Sequence, residues 1–183
     1  VLNDNRLYNV PSCYQYEPFF LASATFPFTK QIDASDVLYT ITEEPLFYDI
    51  QNSVKKQEVI KPWEEKFEYI PVVLNGWINV RNVLREKFKD RNINEHKDLV
   101  RKSITYFIIS LHWLNDVPVQ SLENINKAIE EFRLKPINCA ERFLFIIKRP
   151  MQYHSFIQLE QLFTELEKLF YKELAMMRKR KGD

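Results

Sequence analysis

Ser155–Leu174 reads SFIQLEQLFTELEKLFYKEL, and the spacing within it decides the fold. Ser155 followed three residues later by Gln158 is a capping box, the signature of a helix start. Beyond it Leu159, Leu162, Phe163, Leu166, Leu169, Phe170 and Leu174 recur at steps of three and four, which puts them on one helical face. A helix over 155–178 with so long an apolar face needs partners, and the chain supplies them upstream. Val73, Trp77, Val80, Leu84 and Phe88, after Pro71, predict a helix over 72–91. Val100, Ile104, Phe107, Ile108, Leu111 and Leu114 predict one over 95–115, with Asn94 as its cap. Ser121 opens a third over 121–134 carrying Leu122, Ile125, Ile129 and Phe132. Between Pro136 and Pro150, Asn138 with Glu141 forms a capping pattern for a helix over 138–148. Its run Phe143–Ile147 is apolar on all sides, so it reads as the most buried element; a buried strand is the competing reading. Thr42 is a further possible cap, ahead of Leu46, Phe47 and Ile50. The expectation is an all-α bundle of about five main helices.

Composition narrows the function classes. Gly76 and Gly182 are the only glycines in 183 residues. A phosphate loop or dinucleotide fingerprint needs several glycines for its tight turns, so both are excluded. Only Asn75-Gly76 offers a hairpin dipeptide, which speaks against an all-β fold. Lys and Arg number 26 against 25 Asp and Glu, yet residues 1–60 hold four bases and eight acids. The positive excess ends in Arg178, Lys179, Arg180 and Lys181, a basic tail able to meet an anionic surface or to suit the negative end of a helix dipole. Residues 1–35 carry Pro11, Pro18 and Pro27 among Tyr14, Tyr16, Phe19, Phe20, Phe26 and Phe28. The expectation is an extended, aromatic-rich segment, with residues 1–60 packing on a helical domain of residues 61–183. Cys13 and Cys139 form no CxxC pair, which argues against zinc. With no signal-like start and no apolar run long enough to span a bilayer, the natural setting is a reducing cytoplasm without membrane insertion.

Leu134-Lys135-Pro136-Ile137-Asn138-Cys139-Ala140-Glu141-Arg142 and Arg149-Pro150-Met151-Gln152-Tyr153-His154-Ser155-Phe156-Ile157-Gln158-Leu159 resemble the YpoC family of Gram-positive bacilli. Trp113-Leu114-Asn115 and the Trp63 segment add weaker support, and the strong match covers roughly the last 50 residues. The family is uncharacterised and offers no catalytic residues to carry over. Its genes commonly lie beside those for a replication-initiation protein and a base-excision glycosylase, so the resemblance implies a link to DNA metabolism through neighbourhood.

No residue pattern specifies catalysis. His112 and Asp116 share a face if one helix spans both, but a metal needs further ligands and His96 lies 16 residues away. Tyr153, His154 and Ser155 look like a cluster, though Ser155 already serves as a cap and triads assemble through the fold, not through adjacency. Cys139 sits where a helix start lowers a thiol pKa, but Ile137 and Ala140 beside it favour a buried hydrophobe. Arg142 and Arg149 either bind an acidic group or pair with carboxylates such as Glu165. The reading that emerges is a non-enzymatic interaction module, without cofactor or metal. Its candidate surface is Arg142, Arg149, Tyr153 and His154, its expected partner is a protein, and direct DNA contact is at most weak. The alternative is an enzyme with a site between helices around His154 and Glu141. Oligomeric state is left open.

Overall fold

In the computed structural model the described residues are 7–19, 25–27, 34–54, 60–90 and 92–182. Strands β1 (Leu7–Asn9) and β2 (Thr25–Pro27) pair antiparallel, Tyr8 opposite Phe26. Seven helices follow: α1 (Ala34–Glu43), α2 (Phe47–Val54), α3 (Lys66–Lys89), α4 (Lys97–Leu114), α5 (Ile125–Glu131), α6 (Cys139–Lys148) and α7 (Tyr153–Gly182). Single 3-10 turns occupy Ser12–Tyr14 and Ile93–His96. The all-α bundle stands and each expected main helix is present, though α3 begins at Lys66 rather than at 72 and α5 is confined to Ile125–Glu131. The side chains of Phe26 and Lys181, and all of Phe20 and Phe28, lie outside the described residues.

The centre of the bundle is α4. Every residue from Ser103 to Leu114 is buried, whereas Phe145 of α6 is 38% exposed. The expected central role of Phe143–Ile147 is therefore corrected: Phe143, Ile146 and Ile147 face inward while Phe145 faces out, so α6 is one-sided. Helices α3 and α4 share the largest interface, and α7 and α1 pack on them. At their crossing Gly76 admits Tyr106: a Cβ built on Gly76 would lie 3.0 Å from the Tyr106 hydroxyl, which donates to Thr42 O at 2.6 Å. An aromatic ladder threads the interior, with Trp77 stacked on Phe163 (4.2 Å) and Phe107 edge-on to Phe163 (5.4 Å).

The helix starts depart from expectation, some for tertiary and some for local reasons. Helix α3 begins at Lys66 and carries Pro71 inside it. The Lys66 ammonium bonds Leu114 O (3.1 Å) and Asp116 (2.8 Å to Oδ1), anchoring that first turn on the end of α4. Thr42 is no cap; it lies in the last turn of α1, its hydroxyl donating back to Tyr39 O (2.9 Å). Asn94 falls within a 3-10 turn, and Asn138 takes a left-handed conformation (φ 51°) with no side-chain cap bond. Ser121 precedes α5 by four residues; its hydroxyl accepts from Glu123 N and donates to Cys13 O. Ser155 is inside α7, fully buried, and its hydroxyl donates to Arg149 O at 2.7 Å. The Ser121 hydroxyl thus bonds across the fold, that of Ser155 to the turn before its helix, and that of Thr42 within its own helix, and none of the three caps a helix start.

The end of α4 follows local rules with one substitution. Val117 N bonds His112 O (3.2 Å) and Asp116 N bonds Trp113 O (3.0 Å), the two bonds of a Schellman motif. Asp116 takes the left-handed position (φ 61°) usually given to glycine. The chain thus turns away, and His112 and Asp116 do not share a helical face.

The candidate functional site

The candidate surface residues Arg142, Arg149, Tyr153 and His154 fall at the corner where α6 meets α7, and they have unequal roles. Arg142 is committed internally. Its guanidinium bonds Glu165 Oε1 (2.7 Å), Gln158 Oε1 (2.9 Å) and Ile137 O (3.1 Å), while Glu165 Oε2 accepts from Ile137 N (3.0 Å). This fork pins the start of α6 to α7. Arg149 is exposed and makes no ion pair among the described residues. Tyr153 is 55% exposed, with its ring against Phe88 (5.8 Å), which stacks on buried Phe156 (5.0 Å). His154 is exposed and edge-on to Tyr153. On α6, Phe145 and Lys148 are exposed at i and i+3 and so share the outer face, and exposed Arg149 follows directly after the helix, where the backbone has left the helical conformation. His154 and Glu141 open two different helices, and neither lines the cavities described below. At the far end of α7, Arg178, Lys179 and Arg180 are exposed on the last turns. Cys139 is 2% exposed, and burial pushes its thiol up to about 12 despite the helix start.

Sequence reading missed one buried ionisable group, Asp49, that organises the opposite side. Asp49, 1% exposed on α2, accepts through Oδ1 from Val119 N (2.6 Å) and Trp113 Nε1 (3.3 Å). Its Oδ2 accepts nothing among the described residues, and burial pushes the carboxyl up to about 7. Tyr14, from the N-terminal segment, donates to both Asp49 O and Val119 O. With Leu122 N on Cys13 O (2.8 Å), these bonds tie the loop after α4 to both α2 and the N-terminal segment. An apolar pattern carries no sign of such a group, because the partners lie 64 and 70 residues away.

That tied loop forms one wall of a cleft of about 320 Å3, and α5 forms the other. His112, 3% exposed, contributes to the floor with its ring edge-on to Phe132 (4.8 Å, 86°). Its Nδ1 lies 2.9 Å from Ile108 O. A carbonyl only accepts, so that contact places the proton on Nδ1 and leaves Nε2 a bare acceptor. Burial draws the ring down to about 4, so it stays neutral. A second groove of about 460 Å3 lies between Lys66, Asp116, Arg133, Glu173 and Arg180, with Arg133 paired to Glu173 at 3.2 Å. Among the described residues no group of three or more His, Cys, Asp or Glu side chains is placed to hold a metal, and no helix is long and apolar enough to cross a membrane.

The fold and these surfaces define a class: a helical bundle with a buried polar knot, a lateral cleft and a basic aromatic corner. The family model for YpoC-like protein matches residues 67–178. The uncharacterized protein YpoC of Bacillus subtilis (strain 168) is 35% identical over 148 residues, 81% of this chain and 88% of that protein. This chain belongs to the YpoC-like family. No solved structure matches it. The family match takes in His112 and the α6–α7 corner, while Asp49 and Tyr14 lie outside it.

Proposed function

We propose that this protein is a non-enzymatic docking module whose α6–α7 corner seats an acidic segment of a protein partner. The observation that carries the reading is the makeup of the corner. Phe145, Lys148, Arg149, Tyr153 and His154 are all exposed, and neither cation has a carboxylate partner among the described residues. Tyr and Arg with an aromatic neighbour are the residue types that dominate interface energetics. Tyr153 is also held in place by Phe88 and Phe156, so little rotamer freedom remains to be lost on binding. Unpaired cations around an anchored aromatic favour a partner with carboxylates. The link to replication and repair that the family's gene neighbourhood implies then runs through that protein, and the setting is cytoplasmic.

Position-specific photo-crosslinking in the native host tests this. A photoreactive phenylalanine at Tyr153 should give a discrete protein adduct, and one at Tyr171, equally exposed elsewhere on α7, should not. Arg149→Glu should remove the adduct, and the captured segment should be acidic. Equal yields at both positions, or an adduct indifferent to Arg149→Glu, would sink the reading. Crosslinking to nucleic acid would replace it with direct DNA or RNA binding.

A further inference from the structure

The cleft beside α4 is built as a binding site. One wall is the turn from Val117 to Ser121, and its position does not depend on any ligand: Asp49, Tyr14 and Cys13 hold it through four hydrogen bonds from other parts of the chain. The facing wall is Asn124, the residue before α5, with Lys127, Ala128 and Glu131 of that helix, the last two at i and i+3. Small Ala128 in the middle of that wall leaves the space. The volume, about 320 Å3, falls at the lower end of the range for small-molecule sites.

The chemistry is graded from floor to mouth. Val117, Pro118 and Phe132 are apolar. At the floor the His112 ring is 97% hidden, and its distal nitrogen has no partner among the described residues. That nitrogen is not among the fully enclosed polar atoms, so it opens to the cleft; a molecule that fills the cleft covers it and must bring a donor to satisfy it. Ser121 cannot supply it, since its hydroxyl is already spent on Cys13 O. At the mouth Lys127 and Glu131 are exposed and not paired with each other.

We propose that this cleft binds a small amphipathic molecule: an apolar, ring-sized body against Val117, Pro118 and Phe132, with a hydroxyl or N–H donating to His112 Nε2. The donor is the specificity element, because a molecule lacking it leaves Nε2 buried and unbonded. Polar or charged substituents of the ligand project past Lys127 and Glu131. This site is separate from the α6–α7 corner, and neither proposal rests on the other.

The chain has only three histidines, so 15N-histidine labelling makes the test direct. Phenol supplies the ring and one donor, and anisole is the same ring with the donor methylated. Titration of the intact protein with phenol should shift the His112 Nε2 resonance saturably while His96 and His154 stay still. Anisole should bind about tenfold more weakly, the value of one hydrogen bond. Ala128→Phe, which fills the space without touching His112, should abolish the phenol response, and Ala128→Leu should weaken it. The proposal is overturned by equal affinity for the two probes, by shifts spread over all three histidines, by no shift at millimolar phenol, or by an undiminished response in Ala128→Phe.

Discussion

Asp49 and His112 are both sunk in the core, 1% and 3% exposed, and burial moves their titrations in opposite directions and past each other. The Asp49 carboxyl rises from 3.8 to about 7. A raised acid keeps its proton in the folded state, so its contribution is complete at low pH and is lost as pH climbs through 7. The His112 imidazole falls from 6.5 to about 4, so its contribution is complete above 6.5 and is lost as pH drops through 4. Between these values the two slopes oppose. Urea unfolding across that window should therefore show Asp49→Asn gaining stability with rising pH relative to the parent, by roughly 4 kcal/mol at most. His112→Gln should show the reverse trend, and the double variant should return to the parent's slope. An Asp49→Asn profile parallel to the parent would show that the carboxyl is ionised in the fold. Ser155 gives a second test at this scale. Its hydroxyl is a buried donor to Arg149 O, so Ser155→Ala should cost about 1 kcal/mol and Ser155→Asp clearly more, because a carboxylate cannot donate to a carbonyl. Near-neutral behaviour of Ser155→Asp would restore the capping role that the Ser155–Gln158 pattern suggests.

Helices α3 and α4 meet where Gly76 lets the Tyr106 ring through. In an isolated helix Gly76→Ala would gain about 1 kcal/mol. Here the new methyl would press on a hydroxyl 3.0 Å away that is tethered to Thr42 O at the end of α1. The expected net effect is a loss of about 1 kcal/mol, with α1 loosening from α4. In a Tyr106→Phe background the ring is untethered and can give way, so the same substitution should become neutral or stabilising. A double-mutant cycle with no coupling between the two positions would show that the contact is slack. The cycle also reads out how α1 is held, because this bond fastens its last turn to α4.

For the molecule as a whole, charge and core are separated along α7. Phe170 is fully buried, while Arg178, Lys179 and Arg180 stand exposed beyond the last well-packed turn. Removing residues 178–183 should thus leave the melting temperature within about 1 °C, since exposed positions away from special contacts change stability little. The same end of the chain is the densest cationic run. Fluorescence anisotropy with duplex DNA should show weak binding at low salt, a log–log salt slope of about −3 to −4, and loss of that binding on truncation. Submicromolar affinity near physiological salt would instead make the basic tail a functional DNA contact.

The presence of the main helices is determined by sequence alone, because an apolar residue at every third or fourth position follows from a helix burying one face, whatever it packs on. Leu159 to Leu174 and Val73 to Phe88 carry that signal in full. Packing decides the rest. Tyr106–Leu114 and Phe143–Ile147 look equally apolar, yet the first is enclosed on all sides and the second leaves Phe145 outside. The expected caps were not legible: Ser121 donates to Cys13 O across the fold and Ser155 to Arg149 O in the turn before α7. Arg142 is paired with Glu165, one of the two options its type allowed. Least legible were Asp49 and the His112 cleft. A carboxylate in an aromatic-rich stretch looks like a surface residue until Trp113, Val119 and Tyr14 converge on it, and a cavity is the space that distant segments fail to fill. Local periodicity determined the elements of this protein, whereas the partners of Asp49 and the empty space between elements were decided by chain segments tens of residues apart.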